Sequence, residues 1–202
     1  TVEDTIDAVV ITQDITIQLD ANGDASIDTT MIDNGSNDAC GIASQVLDIT
    51  TFDCTNIGEN TVVLTVTDNN GNVSKKEAVV TVEDTIDAVV ITQDITIQLD
   101  ANGDASIDTT MIDNGSNDAC GIASQVLDIT TFDCSNIGEN TVTLTVTDNN
   151  GNVSKKEAVV TVEDTIDAVV ITQDITIQLD ANGDASIDTT MIDNGSNDAC
   201  GI

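Results

Sequence analysis

The chain contains no histidine, proline, tryptophan or tyrosine, and Phe52 and Phe132 are its only aromatic residues. Each absence excludes something. Without histidine, the Ser–His and Cys–His pairs that activate a nucleophile cannot be assembled, and no Cys-x-x-Cys or histidine pattern offers a zinc site. Without aromatic platforms, the many carboxylates do not resemble a sugar-cleaving cleft. The sequence therefore reads as a non-enzyme. Basic residues are scarce: four lysines face 37 Asp and Glu, for a net charge of −33. That balance disfavours nucleic acid and anionic membrane surfaces as partners and favours divalent cations. No window approaches the ~20 apolar residues of a membrane-spanning helix, so no membrane insertion is expected. An initiator methionine and a signal peptide are also missing, and the chain reads as a window cut from a longer polymer.

What is present is repetition with a period of 80 residues. Thr1–Thr81–Thr161 start three copies of the same text, with Ser135 and Thr143 standing where the first copy has Thr55 and Val63. Domain limits are expected at 1–83, 84–163 and a partial third copy, 164–202. Val, Ile and Thr dominate, the composition of strands. Alternation places Ile15, Ile17, Leu19 and Ala21 on one face, then Val62, Leu64 and Val66, then Ala78, Val80 and Val82. Val63 is out of phase and is expected to face solvent, as its replacement by Thr143 suggests. Asn22-Gly23 reads as a two-residue hairpin turn joining ITIQLDA to DASIDTTM. A third extended run covers IASQVLDITTF. No segment shows the 3.6-residue period of an amphipathic helix. The pattern predicts an all-β fold: immunoglobulin-like or fibronectin-III-like β-sandwich repeats, stacked end to end as a rod. Residues 164–202 carry only the first strands of such a unit, so their apolar face lacks the strands that would cover it.

The combined pattern FDCTNIGENTVVLTVTDNNGNVS…VVTVEDT, with LDANGDASI and IDNGSNDACGI, resembles the hyalin-repeat class of extracellular β-sandwich modules. It is closer still to tandem repeats of giant surface proteins of Bacteroidota, including the mobile adhesins of gliding flavobacteria. The resemblance covers the whole repeat, except that DTIDAVV lacks the proline many such linkers carry. It implies an extracellular, cell-surface location and a role in adhesion. Any surface or glycan ligand would be bound through domains outside this window.

The cysteines are Cys40, Cys54, Cys120, Cys134 and Cys200, and an extracellular setting makes them disulfide partners. Two pairings stay open. Bonds within a repeat would join Cys40 to Cys54 and Cys120 to Cys134. Bonds between repeats would join Cys54 to Cys120 and Cys134 to Cys200, leaving Cys40 alone. At the junctions between repeats, Glu83, Asp84, Asp87, Asp113 and Asp118 read either as calcium ligands or as a solvated acidic rim that keeps rods apart. The acids of Asp20–Asp24 and Asp68–Asn72 read as turn residues. Lys75 and Lys76 read as solvated edge lysines that discourage sheet pairing, not as isopeptide donors. Near-identical copies carry no positional information, so their shared contribution is length. The expected role is a stalk whose partners are neighbouring repeats of the same chain. A multivalent array of weak binding sites and a laterally self-assembling filament are the alternatives.

Overall fold

The computed structural model describes residues 4–202 and is nearly all β. In the first repeat, β1 (Ile15–Gln18), β2 (Asp24–Ser26), β3 (Ile42–Leu47), β4 (Thr51–Asp53), β5 (Gly58–Asp68) and β6 (Val73–Glu83) form two sheets. The larger has the order β1-β6-β5-β3, and β2 pairs with β4 in the smaller. The dominant element is the β5–β6 hairpin, eleven residues per strand. Its inward positions Val62, Leu64, Val66 and Val80 are fully buried, and Val82 and Ala78 nearly so. Facing them are Leu19, Ile27, Ile32 and Phe52, contributed by the loops, a one-turn helix and the small sheet. The parity read from sequence therefore holds along both long strands. Val63 lies half-buried between the buried Val62 and Leu64, on the outer face as expected.

Three local expectations need correction. Asn22-Gly23 does not close a hairpin. β1 instead runs parallel to β6, and β2 pairs with β4, so this turn carries the chain from one sheet to the other. Asn22 is not left-handed, since among the described residues only glycines have positive φ. The turn is fixed by the Asp20 side chain, which accepts from the backbone N–H of Asn22 and Asp24. The strand expected through DASIDTTM stops at Ser26, where Asp28 caps a one-turn helix, α1 (Thr29–Ile32), by accepting from Thr30 N–H at 2.8 Å. This single turn buries Ile32 without needing a 3.6-residue apolar repeat. The run IASQVLDITTF is not one strand, because it breaks at 48–50 and β3 and β4 lie in different sheets.

The second repeat reproduces these elements as β7 (Ile95–Gln98), β8 (Asp104–Ser106), α2 (Thr109–Ile112), β9 (Ile122–Leu127), β10 (Thr131–Asp133), β11 (Gly138–Asp148) and β12 (Val153–Glu163). Its strand order is the same, β7-β12-β11-β9 with β8 beside β10. By compactness the chain divides differently from the sequence copies. One unit joins residues up to Val89 with Asn117–Ser124 and Val146–Ser154, and the other joins Val90–Ser116, Gln125–Thr145 and Lys155–Ile202. Each unit thus combines most of one repeat with the leading end of the next.

Residues 164–202 keep only a helical turn, α3 (Thr189–Ile192), and isolated bridges such as Val169–Asn197. Ile177, Leu179 and Ile187 are 43%, 67% and 53% exposed, whereas their first-repeat equivalents Ile17, Leu19 and Ile27 are at most 8% exposed. The sequence is identical, so the difference is the missing hairpin. No strand forms at 175–178, because its partner in both complete copies is a β6-type strand.

Candidate functional site

The residues that distinguish this chain gather where one repeat meets the next. Two disulfides form, Cys54–Cys120 and Cys134–Cys200, each with a sequence separation of 66, and Cα–Cα distances of 5.2 and 5.1 Å. Both join the trailing end of one copy to the leading loop of the following one, so the between-repeat pairing is the one realised. Pairing within a repeat is ruled out by the hairpin. Cys40 lies beside the β5–β6 turn, its carbonyl accepting from Asn69 Nδ2 at 2.7 Å, whereas Cys54 lies where β5 begins. Eleven extended residues separate those ends by roughly 36 Å, far beyond the ~7 Å limit for a disulfide.

Both halves of the bond are held by aspartates. On the trailing side, Asp53 starts a single 3₁₀ turn, Cys54–Asn56, by accepting from Thr55 N–H, while Asn56 Oδ1 accepts from Asp53 N–H. On the leading side, Asp118 Oδ1 accepts from Cys120 N–H at 2.8 Å, and Asn149 Nδ2 donates to the Cys120 carbonyl at 2.7 Å. Asp133, Asp198 and Cys200 repeat this arrangement at the second bond. Gly23 completes the socket. Its φ is +80°, and a Cβ there would lie 2.6 Å from Cys54 Sγ, 3.3 Å from Ala119 Cβ and 3.6 Å from Cys120 Sγ. Gly103 occupies the same place against Cys134 and Cys200. The close approach of the next copy therefore requires glycine here for space as well as for conformation.

The linker is pinned on both sides. Glu83 accepts at its carbonyl from Leu19 N–H, and at its carboxylate from Gln18 Nε2 at 2.7 Å. Thr85 donates to Gln18 Oε1 at 3.0 Å. Past this point, Asn152 Nδ2 donates to the carbonyls of Asp84 and Ile86 and, at 2.8 Å, to Asp148 Oδ2. Asp148 is 1% exposed, as is Asp68 in the first copy. Burial pushes both carboxyls up, but hydrogen bonds from the side chain and backbone of Asn152 or Asn72, and from the backbone of Asn150 or Asn70, outweigh it. The net shift is downward. These aspartates hold the turn, as the sequence suggested, but as buried anions satisfied by a ring of donors rather than as solvated acids. Their position in phase with Val62, Leu64 and Val66 was the available signal.

Of the five candidate calcium ligands, the structure brings two together. Asp84 and Asp118 present carboxylate oxygens within 4.8 Å of each other and of Cys120 Sγ. The acidic grouping expected at a repeat junction is therefore there. Cys120 is in a disulfide and offers no thiolate. One oxygen of Asp84 already accepts from Ile86 N–H, and one of Asp118 from Cys120 N–H. The Asp84 carbonyl accepts from the Asn152 amide. Glu83 is paired with Gln18, Asp87 is exposed, and Asp113 ends α2 and accepts from Ser116 N–H at 3.0 Å.

Cys40 is free and exposed. Hydrogen bonding to Asp4 and the charge of Asp4, followed by burial and the charges of Asp38 and Asp68, push its thiol up, so the reactive thiolate is disfavoured. Lys75 and Lys76 are exposed on the stretch of β6 that β1 does not cover. That open edge is blocked further along, where Thr12 Oγ1 donates to the Glu77 carbonyl and Asp14 accepts from Val79 N–H. Sequence reasoning missed Gly23, Asn152 and the turn-holding role of Asp118. The Asp-x-Cys and Asp-x-Asn-Gly-Asn spacings were the signals that could have pointed to Asp118 and Asn152.

Among the described residues no helix is long and apolar enough to cross a membrane. No family model matches the chain, and no curated protein does. Solved structures that it resembles include extracellular cadherin domains. Human protocadherin-24 domains 1–2 give a TM-score of 0.42 at 10% identity, covering 80% of this chain and all of that one. Protocadherin gamma B7 domains 3–6 give 0.40 at 16%, over 93% of this chain and 57% of that one. Protocadherin gamma B2 domains 1–5 give 0.38 at 14%, over 86% of this chain, which spans 43% of theirs.

Proposed function

We propose that this chain is a length of an extracellular stalk, whose copies extend a surface protein and have no catalytic role. The observation that carries the reading is the junction. The same disulfide, with the same 66-residue separation and the same glycine socket, occurs at Cys54–Cys120 and at Cys134–Cys200. Chemistry repeated at every boundary serves the connection between copies, and disulfides persist in oxidising compartments outside the cytosol. The negative charge keeps neighbouring stalks apart. The flavobacterial adhesin resemblance fits this role, with the stalk holding an adhesive tip away from the cell.

Small-angle scattering of the oxidised chain over a concentration series tests the proposal. A monomeric, elongated particle is expected at every concentration. Bundling as concentration rises would favour a self-assembling filament, and a compact, folded-back particle would refute the stalk. Retention on a glycan array would favour the multivalent binder. The acidic grouping of Asp84 and Asp118 at the junction supports a calcium ion bridging successive copies there, and a chelator should then shorten the particle.

A further inference from the structure

We propose that the two disulfides carry mechanical load past the long hairpins of the β-sandwiches, so that unfolding of those hairpins cannot lengthen the chain while the bonds are oxidised and lengthens it once they are reduced. This follows from covalent connectivity. A pull transmitted along the chain reaches Cys54 and crosses directly to Cys120, bypassing everything between them. It then runs through β9 and β10 to Cys134 and crosses to Cys200. From Cys54 to Cys134, one full period, only the stretch from Cys120 to Cys134 is under tension. The bypassed segments hold β5 and β6, and then β11 and β12, the hairpins that carry most of the fully buried residues of each core.

An ordinary tandem β-sandwich places its whole fold in the line of force, and each unfolding event then releases most of a domain's length. Here the loss of a hairpin would release no length, because both ends of the bypassed segment are tied within 5.2 Å of each other. A bypass of 66 residues withholds ~230 Å of extended chain at ~3.5 Å per residue. The stretch between Cys120 and Cys134 can reach only ~50 Å. The bond therefore does more than restrain an unfolded chain, since it decides which residues feel force at all. This response to tension holds whether the chain serves as a stalk or as a binding array.

Reduction reverses the arrangement with simple stoichiometry. A dithiol reductant such as dithiothreitol gives two electrons and two protons to each S–S bond, which becomes two thiols, and the reductant leaves as its cyclic disulfide.

The test is single-molecule stretching of the full 202-residue chain, tethered at its termini, in a Cys40→Ser background so that the exposed free thiol cannot exchange. Oxidised, the chain should stop extending at ~240 Å, the span of residues up to Cys54 plus the two short stretches left in the path. With dithiothreitol it should reach ~700 Å. Replacing Cys54 and Cys120 together by serine should add ~230 Å to the oxidised limit, one bypass only. The final contour does not depend on whether a variant folds, so the comparison stands if the substitutions loosen the sandwich. An oxidised chain that extends well past ~300 Å, or a reduced one no longer than the oxidised, overturns the proposal. A compact scattering profile combined with the short oxidised limit would reject the stalk and leave the load path standing.

Discussion

Replacing Gly23 by alanine should damage the junction more than replacing Gly35, and the difference can be worked from the structure. Both glycines have positive φ, +80° and +93°, so each alanine incurs the left-handed backbone cost of ~1–2 kcal/mol. Gly35 has no atom within 4 Å of the added Cβ, and its variant should lose that much and no more. At Gly23 the new methyl would sit 2.6 Å from Cys54 Sγ and 3.3 Å from Ala119 Cβ. An ordinary carbon contact is ~3.5–4.0 Å, so the sulfur must retreat by about 1 Å. Overpacking of this kind costs ~1–3 kcal/mol. If the strain prevents the bond from closing, the loss grows, since a disulfide closing a loop of 66 residues contributes ~4 kcal/mol in the chain-entropy model. Urea unfolding under non-reducing conditions, together with thiol counting, measures both effects. The parent should show one free thiol, Cys40, and Gly23→Ala should show either a larger stability loss than Gly35→Ala or two additional thiols. The gap between the variants should shrink on reduction, when Cys54 can rotate away. Equal losses with a fully closed bond would refute the socket.

Two further outcomes follow from burial and charge. Leu64→Ala, at a fully buried position on β5, should cost ~2–5 kcal/mol. Val63→Thr, one residue along and already present as Thr143, should fall within ~0.5 kcal/mol, and denaturant midpoints compare the two directly. Acid should destabilise the sandwiches in part through Asp68 and Asp148, whose carboxyls lie below the ordinary 3.8 when folded. Below that value the unfolded chain takes up protons first, so the stability they contribute is present above ~pH 4 and is lost as pH falls through their depressed values. Asp68→Asn with Asp148→Asn should make stability fall less steeply with pH between ~5 and ~2, and an unchanged slope would count against the buried-anion reading.

The legible parts of the fold were those encoded by near neighbours. Alternation along β5 and β6 fixed which residues face the core, and the single Val63-to-Thr143 difference confirmed the phase. What the sequence did not reveal depends on distant partners. Nothing local to ITIQ says that it pairs in parallel with a strand some 65 residues away, so Asn22-Gly23 looked like a hairpin. Asp28 caps a helical turn too short to leave a period. The choice between disulfide pairings was open because it turns on which end of a long hairpin each cysteine occupies. The hold of Asn152 on the linker was hidden for a related reason, since its partners Asp84 and Ile86 lie 68 and 66 residues away.

The offset between compact unit and sequence copy bears on how such a gene can change. A bond that runs from one copy to the next, always 66 residues on, is indifferent to how many copies stand in line. If recombination between the near-identical copies removes or adds one 80-residue length, every interior cysteine still finds its partner and every Gly23-type socket still receives a loop. Selection can then tune the number of copies freely, while a deletion of any other length would leave mismatched thiols at the scar. Near-identity among the copies keeps such exchange available, and the pairing pattern makes its products foldable.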